Sequence, residues 1–507
     1  HLLFWITSVS FKIFGINSFA YILPGFLFHL LGAYYTYLLA RLLYNDTEEV
    51  GLIAALLYLT ALHLLISAID VRAEAYLLGE IMGACYYWYQ YDQSHKFSVQ
   101  LKYLLLGAIF TAMAIMTKGV FVLLTISSGL VIVWVYQKQW LNLFKLKWIL
   151  ALGLSMLFIL PELYVLYLQF DVHPEKLIFG QHNVSGIKWF FWDSQFGRFL
   201  NSGPITVNHT QNYHYLFFIH TFLWAFLPWS LLFVYVAIAN IKVCASKSAA
   251  LYLFGSFIPT FLLFSCTTFQ LDHYTNIIMP FAAILCAGWV YKYSMYNSTD
   301  GNELPSHPIF HCQIWLAYIL TFLIVVFSIL IFGNKWLLLI IAIALLMLIL
   351  FIVFTHKSDL IKSFLYPTLA INLAFLFIMQ LTEITAKYDL GYQAAAYINQ
   401  QPKHLVVDYK VDSLTLEFYC HNSYVKANNS QELSQIKQPY YMVIKAQDLA
   451  YLESHLDQLL SPFTKITMLD KIPAATVDKV MRNLLTRPRL KDDLVDYRIV
   501  FVSRSSV

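Results

Sequence analysis

The chain has 507 residues, of which 59% are hydrophobic, 17% aromatic and only 12% charged, where a soluble globular protein carries about 25% charged residues. Its net charge of +4 supplies no basic stripe for nucleic acid, and the composition excludes a one-domain soluble fold, a disordered chain and a collagen-like repeat. Residues 1–387 hold 35 of the charged side chains and residues 388–507 hold 27, so the expected architecture is a polytopic all-α membrane bundle over 1–387 followed by a small soluble α/β domain over 388–507.

His1 opens an apolar run with no signal-like charged region before it, which reads as the interior of a longer protein. A spanning helix needs about 20 mostly apolar residues. On that criterion about 12 spans are predicted, near 19–44, 51–69, 73–91, 101–117, 119–137, 147–169, 214–240, 249–268, 274–293, 310–332, 335–355 and 361–381. With the residues before 19 outside, the inner connections carry eleven Lys and Arg residues and the outer ones seven, in keeping with the positive-inside rule. That orientation puts the turns near 70–74, 117–119 and 269–274, the long loop 170–213 and the whole tail on the outer face. In the tail, HLVVDY, YYMVIKA, FTKITML and YRIVFVS alternate with amphipathic stretches, the pattern of a small α/β domain. Six cysteines stand without CxxC spacing and support neither a disulfide framework nor a zinc site.

Charge is expensive in a bilayer, so the few charged residues in the first part are informative. Asp70-Val71-Arg72-Ala73-Glu74 fits a solvated rim, yet Asp70 and Glu74 at i and i+4 share one helical face if the helix starts early. Lys118 stands in the turn Thr117-Lys118-Gly119, either as the polar residue a short turn needs or as a point charge for phosphate. The long loop holds FGQHNVSGIKWFFWDSQFGRFLNSGP; Trp189, Phe190, Phe191 and Trp192 suit a membrane interface, and Asp193 and Arg198 punctuate it. A last outer turn, Phe269-Gln270-Leu271-Asp272-His273-Tyr274, offers His273 as surface residue or ligand and Tyr274 as interfacial aromatic or contact. Glu80 and Glu162 lie within spans, where acids are the best argument for an alternative class, a polytopic transporter or flippase of a lipid-linked or small polar substrate. A non-catalytic membrane assembly factor is a third class.

In order and topology these segments resemble the GT-C glycosyltransferases of the protein mannosyltransferase and lipid A aminoarabinose transferase type. HLLFWITSVSFKIFG resembles the segment that follows a Lys-Pro in the first outer loop, IDVRAEA an acidic helix start, and AIMTKG a Leu-Thr-Lys-Gly turn. FFWDSQFGRF resembles a loop ending in Arg-Phe, and FQLDHYTNIIMP a Lys-Leu-Pro-x-Tyr turn. The resemblance covers about residues 1–390. It implies sugar transfer from a polyprenyl-phosphate donor to a lipid, glycan or protein acceptor at the outer face of a bacterial inner membrane, with the tail periplasmic. It further implies that Lys118, Arg198 and Tyr274 hold the donor phosphate and that Glu74 takes the place of a family acid near the sugar. The main catalytic base is expected upstream of His1, with Glu74 or Asp70 second in line, and Arg72, Asp193 and His273 are the accessory candidates. Gln270 stands where the family usually has lysine, and Asp193 near where some members have histidine. Membrane lipids are expected neighbours and nucleic acid is not; no cofactor is certain, and a divalent cation stays open.

Overall fold

The computed structural model describes residues 2–178, 180–197, 200–202, 216–241, 248–267, 269–297, 307–332, 358–455, 464–476, 479–480 and 494–504. It divides into two compact units, His1–Phe322 with Leu346–Phe375, and Leu323–Leu345 with Leu376–Val507.

The first unit is helical. Its opening helices are α1 (Leu2–Phe14), α2 (Ser18–Leu43), α3 (Glu48–Leu59), α4 (Leu62–Ala68), α5 (Ala73–Gln93), α6 (Phe97–Lys118) and α7 (Val122–Tyr136). Asn17 caps α2 by accepting from the Ala20 amide at 2.9 Å, which satisfies one of the donors a helix start leaves open. The centre of the unit is α5, buried along most of its length against α2 and α6. A Cβ at Gly79 would run into the Phe28 carbonyl of α2, so glycine there permits the close helix contact that bundles in lipid rely on. Burial of α5 also explains why a helix bearing Glu74, Glu80 and Asp92 is tolerated, since intramembrane acids face the bundle interior.

Among the described residues, seven helices are long and apolar enough to cross a membrane, or up to nine if each of two bent pairs counts as one span. The predicted spans 51–69 and 214–240 are these bent pairs, α3 with α4 at 72° and Phe217–Ala225 with Ser230–Ala239 at 115°. Apolar windows register length and not direction, so neither bend was visible in hydropathy. The two breaks satisfy each other: the Leu62 amide donates to the Leu227 carbonyl at 2.8 Å, and the Trp229 indole donates to Thr60 Oγ1 at 2.9 Å. Interrupted helices in lipid need such replacement partners. The predicted span 335–355 lies outside the described residues.

The second unit holds a five-stranded sheet in the order β2-β1-β3-β5-β4, with β1 (Leu405–Tyr409), β2 (Tyr424–Ala427), β3 (Tyr440–Lys445), β4 (Thr464–Ala474) and β5 (Val495–Arg504). β2, β1 and β3 are parallel, and β5 and β4 join antiparallel. Successive residues of the central strands feed different clusters. Val407, Met442 and Val500 pack on one face, and Val406, Tyr441, Val443 and Ile499 on the other. Sheets covered on both faces read as continuous apolar runs, which is why VVDY and YYMVIK stood out. The expected α/β domain is therefore present. One of the amphipathic stretches between the strand patterns, TVDKVMRNLL at 476–485, lies mostly outside the described residues.

Candidate functional site

Three chain segments far apart in sequence end at one place. Glu74 lies in the first turn of α5, where a carboxylate is favoured by the helix dipole, and Lys118 is the last residue of α6, where a cation is favoured. The third segment is the tight 3-10 turn Asp272–Ile278. Buried Glu74 accepts a hydrogen bond from Lys118 Nζ through Oε1, and the same oxygen is 3.6 Å from His273 Nε2. Lys118 Nζ lies 4.2 Å from the centre of the Tyr274 ring, and Tyr274 in turn packs on Phe264 at 5.4 Å and is parallel to Phe218. An ammonium over a desolvated aromatic face gains up to about 2 kcal/mol, so Lys118 is fixed both by charge and by the ring.

Around this pair lies a second group of charges. Arg72 Nε is 2.9 Å from Asp70 Oδ2, and its Nη1 is 2.8 Å from His273 Nδ1 and 3.7 Å from Asp272 Oδ1. The structure thus brings Asp70, Arg72, Glu74, Lys118, His273 and Tyr274 together. Asp193 lies on a π-helical turn, Trp189–Gly197, and among the described residues no ion pair joins it to the cluster. Arg198 lies outside the described residues. Of the two acids within spans, Glu80 accepts from Thr117 Oγ1 at 2.9 Å, latching α5 to the end of α6.

Lys118 also lines a cavity of 610 Å³. Most of its wall is apolar, including Phe4, Met116, Phe121, Leu263 and Phe264, with Thr117, Gln195, Tyr274 and Glu162 among the few polar contributors. Trp189, Phe190 and Phe196 of the aromatic loop line it, so that loop builds part of the cavity wall, with Phe190 buried and Trp192 exposed. No group of three or more His, Cys, Asp or Glu is placed to hold a metal ion among the described residues.

Gln195 is a site residue that sequence reasoning missed. Its Nε2 donates to the Lys118 carbonyl at 3.3 Å and to Ser194 Oγ at 2.9 Å, covering one of the carbonyls that a helix end leaves open. Nothing in a WDSQF string signals that contact, because the π-helical turn that aims the side chain is not encoded by a periodicity of 3.6. Gly119 makes the contact possible: its φ of +104° suits glycine, and a Cβ there would strike the Gln195 amide. Gly119→Ala is expected to lower stability by about 1–3 kcal/mol, read as a lower Tm in detergent. Gln195→Ala is expected to cost about 1 kcal/mol. Combining the two should cost less than their sum, since removing Gln195 relieves the collision but not the backbone strain.

Residues 1–165 match the family described as dolichyl-phosphate-mannose-protein mannosyltransferase. Two relatives are named undecaprenyl phosphate-alpha-4-amino-4-deoxy-L-arabinose arabinosyl transferase: one from Edwardsiella ictaluri, 25% identical over 296 residues (58% of this chain and 50% of the relative), and a second from Proteus mirabilis, 25% identical over 288 residues (56% and 48%). The aligned stretch spans about half the length of these relatives. The crystal structure of ArnT from Cupriavidus metallidurans bound to undecaprenyl phosphate superposes with a TM-score of 0.63 at 15% identity, covering 99% of this chain and 87% of that one. The chain therefore shares the fold of that ArnT structure and, with its long apolar helices, is a multi-pass membrane protein. The matches support its likeness to glycosyltransferases of the protein mannosyltransferase and aminoarabinose transferase type.

Proposed function

We propose that the protein is a membrane glycosyltransferase that moves a sugar from a polyprenyl-phosphate carrier to an acceptor hydroxyl or phosphate of a lipid, glycan or protein. In this reading it works at the outer face of a bacterial inner membrane, with its α/β domain periplasmic. The observation that carries the reading is the 610 Å³ apolar cavity that Lys118 lines, its ammonium fixed by buried Glu74 and the Tyr274 ring. An isoprenoid chain needs an apolar channel, and its phosphate needs a cation where the chain ends. The named substrate of the Edwardsiella and Proteus relatives is of this chemistry.

A polyprenyl phosphate leaves without much protonation, so the protein's task is to neutralise charge that grows on the phosphate as the sugar C1–O bond breaks. Lys118 and Arg198 serve that purpose as charge-assisted donors, and Tyr274 holds Lys118 in place. The acceptor then attacks C1 with inversion while a carboxylate takes its proton. Glu74 is committed to Lys118 and suits positioning better than proton transfer; Asp70, at the rim with Arg72, is the freer acid of the two. The binding step is tested with purified protein in lipid nanodiscs. Undecaprenyl phosphate should be retained and undecaprenol, which lacks the phosphate, should not; equal retention of both would contradict a phosphate site at Lys118.

A further inference from the structure

Beside the Lys118 cluster lies a second cavity of 190 Å³ with a different character. Its walls come from α4, the α4–α5 turn, helix Phe217–Ala225 and the turn Asp272–Ile278, and His63, Ser67, Asp70, Arg72, Asp272 and Asn276 line it. It is smaller than the roughly 300–1,000 Å³ of sites for drug-sized ligands, so it holds one small molecule.

Its polar groups are incompletely matched to one another. Asn276 is fully buried, and its Oδ1 accepts from His63 Nδ1 at 2.6 Å. Its Nδ2 is buried with no acceptor, an omission that costs free energy unless something else accepts. With its proton on Nδ1, His63 presents Nε2 as an acceptor, and Nε2 faces Asp272 Oδ2 at 3.8 Å. Neither atom can donate to the other in that tautomer, so each is open to a donor from a ligand in the cavity. The cavity thus offers an unused amide donor, two neighbouring acceptors, and a guanidinium flanked by two carboxylates. Two carboxylates against one arginine disfavour an anion, so this is not a second phosphate site. A group that donates and accepts at each position, as every sugar hydroxyl does, matches the inventory. Trp224, set edge-on to His63 with ring centres 5.2 Å apart, and Ile66 add an apolar wall for the C–H face of a ring.

We propose that this cavity binds the glycosyl unit, a single polyhydroxylated ring, with Asn276 and the His63–Asp272 pair as the groups that select it. His273 lines this cavity and also touches Glu74, so the ring would lie next to the phosphate held by Lys118. The ligand assignment rests on the cavity itself; its part in sugar transfer rests on the function proposed above.

The test is saturation-transfer NMR on the whole protein in micelles, with methyl mannopyranoside as a neutral probe and methyl 4-amino-4-deoxyarabinopyranoside as a cationic one. Either probe should bind the wild-type protein, and binding should weaken at least about tenfold, the worth of a lost buried hydrogen bond, in Asn276→Leu. Ser67→Leu, which fills the cavity without altering the Asn276–His63 bond, should weaken it as much while leaving undecaprenyl phosphate retention unchanged. Absence of binding by both probes, or binding that survives Ser67→Leu, would overturn the proposal. If wild-type protein binds a glycoside but does not retain undecaprenyl phosphate, the carrier reading falls and the glycosyl cavity stands.

Discussion

Replacing Lys118 by methionine is expected to abolish retention of a polyprenyl phosphate and to reduce sugar transfer by at least about 10²–10³-fold, the usual consequence of removing a group that stabilises developing charge. The same change should lower stability, because Glu74 is buried and accepts from Lys118. Removing one partner of a buried pair costs about 3–5 kcal/mol, chiefly by leaving the other charge uncompensated. The two effects separate in the double variant Lys118→Met with Glu74→Gln, which removes both charges. Thermal unfolding in detergent should return most of the way to wild type, and transfer should stay at the level of Lys118→Met alone. Recovery of transfer together with stability would mean that Lys118 serves only to neutralise Glu74.

The second large effect belongs to the α/β domain. Asp408 is buried at the end of β1. One carboxylate oxygen accepts from the Val411 and Asp412 amides at 2.9 and 3.0 Å, and the other from the Ser413 amide at 2.9 Å and the Tyr424 hydroxyl at 2.8 Å. These bonds fold the connection after β1 and tie it to β2. Hydrogen bonds to a charged group contribute about 1.5–3 kcal/mol each, and the donors left behind carry their own desolvation penalty. Asp408→Ala should therefore cost about 3–5 kcal/mol and release β1 and β2 selectively. Hydrogen exchange should show lost protection in 405–427 with α5 and α6 unchanged; unaltered protection in 405–427 would show that the carboxylate is dispensable to the strand pair.

Much of the site was legible because charge is scarce in the first part of the chain. An acid or a base in an apolar sequence survives only where water or a partner takes it, and that made Asp70, Arg72, Glu74, Lys118 and His273 stand out. What the sequence withheld is which of them meet. Lys118 and Glu74 are 44 positions apart, and Arg72 and His273 are 201 apart, and no local periodicity records which helix ends converge. Glu74 read as a candidate catalytic acid, and the hydrogen bond it accepts from Lys118 was not visible in the sequence. Asn276 and His63 escaped notice for a related reason, since a single polar residue in a span looks like ordinary packing until its hydrogen-bond partners are counted. In the α/β domain the apolar strands β1, β3, β4 and β5 were visible. The four residues of β2 and the one-and-a-half-turn helix Leu414–Tyr419 are too short to show either period. The bends at Thr60 and Pro228 depend on each other across the bundle, and hydropathy windows are blind to both.

In the proposed reaction, Lys118 and Arg198 hold the carrier phosphate from which a sugar is transferred. The most direct measurement is release of free polyprenyl phosphate, with loss of labelled sugar from polyprenyl-phosphate sugars, by wild-type protein and by the combined variant Lys118→Ala with Arg198→Ala in the same membranes. Turnover should be present in the first and fall to background in the second. Undiminished turnover in the combined variant would contradict the phosphate assignment and with it this account of the site.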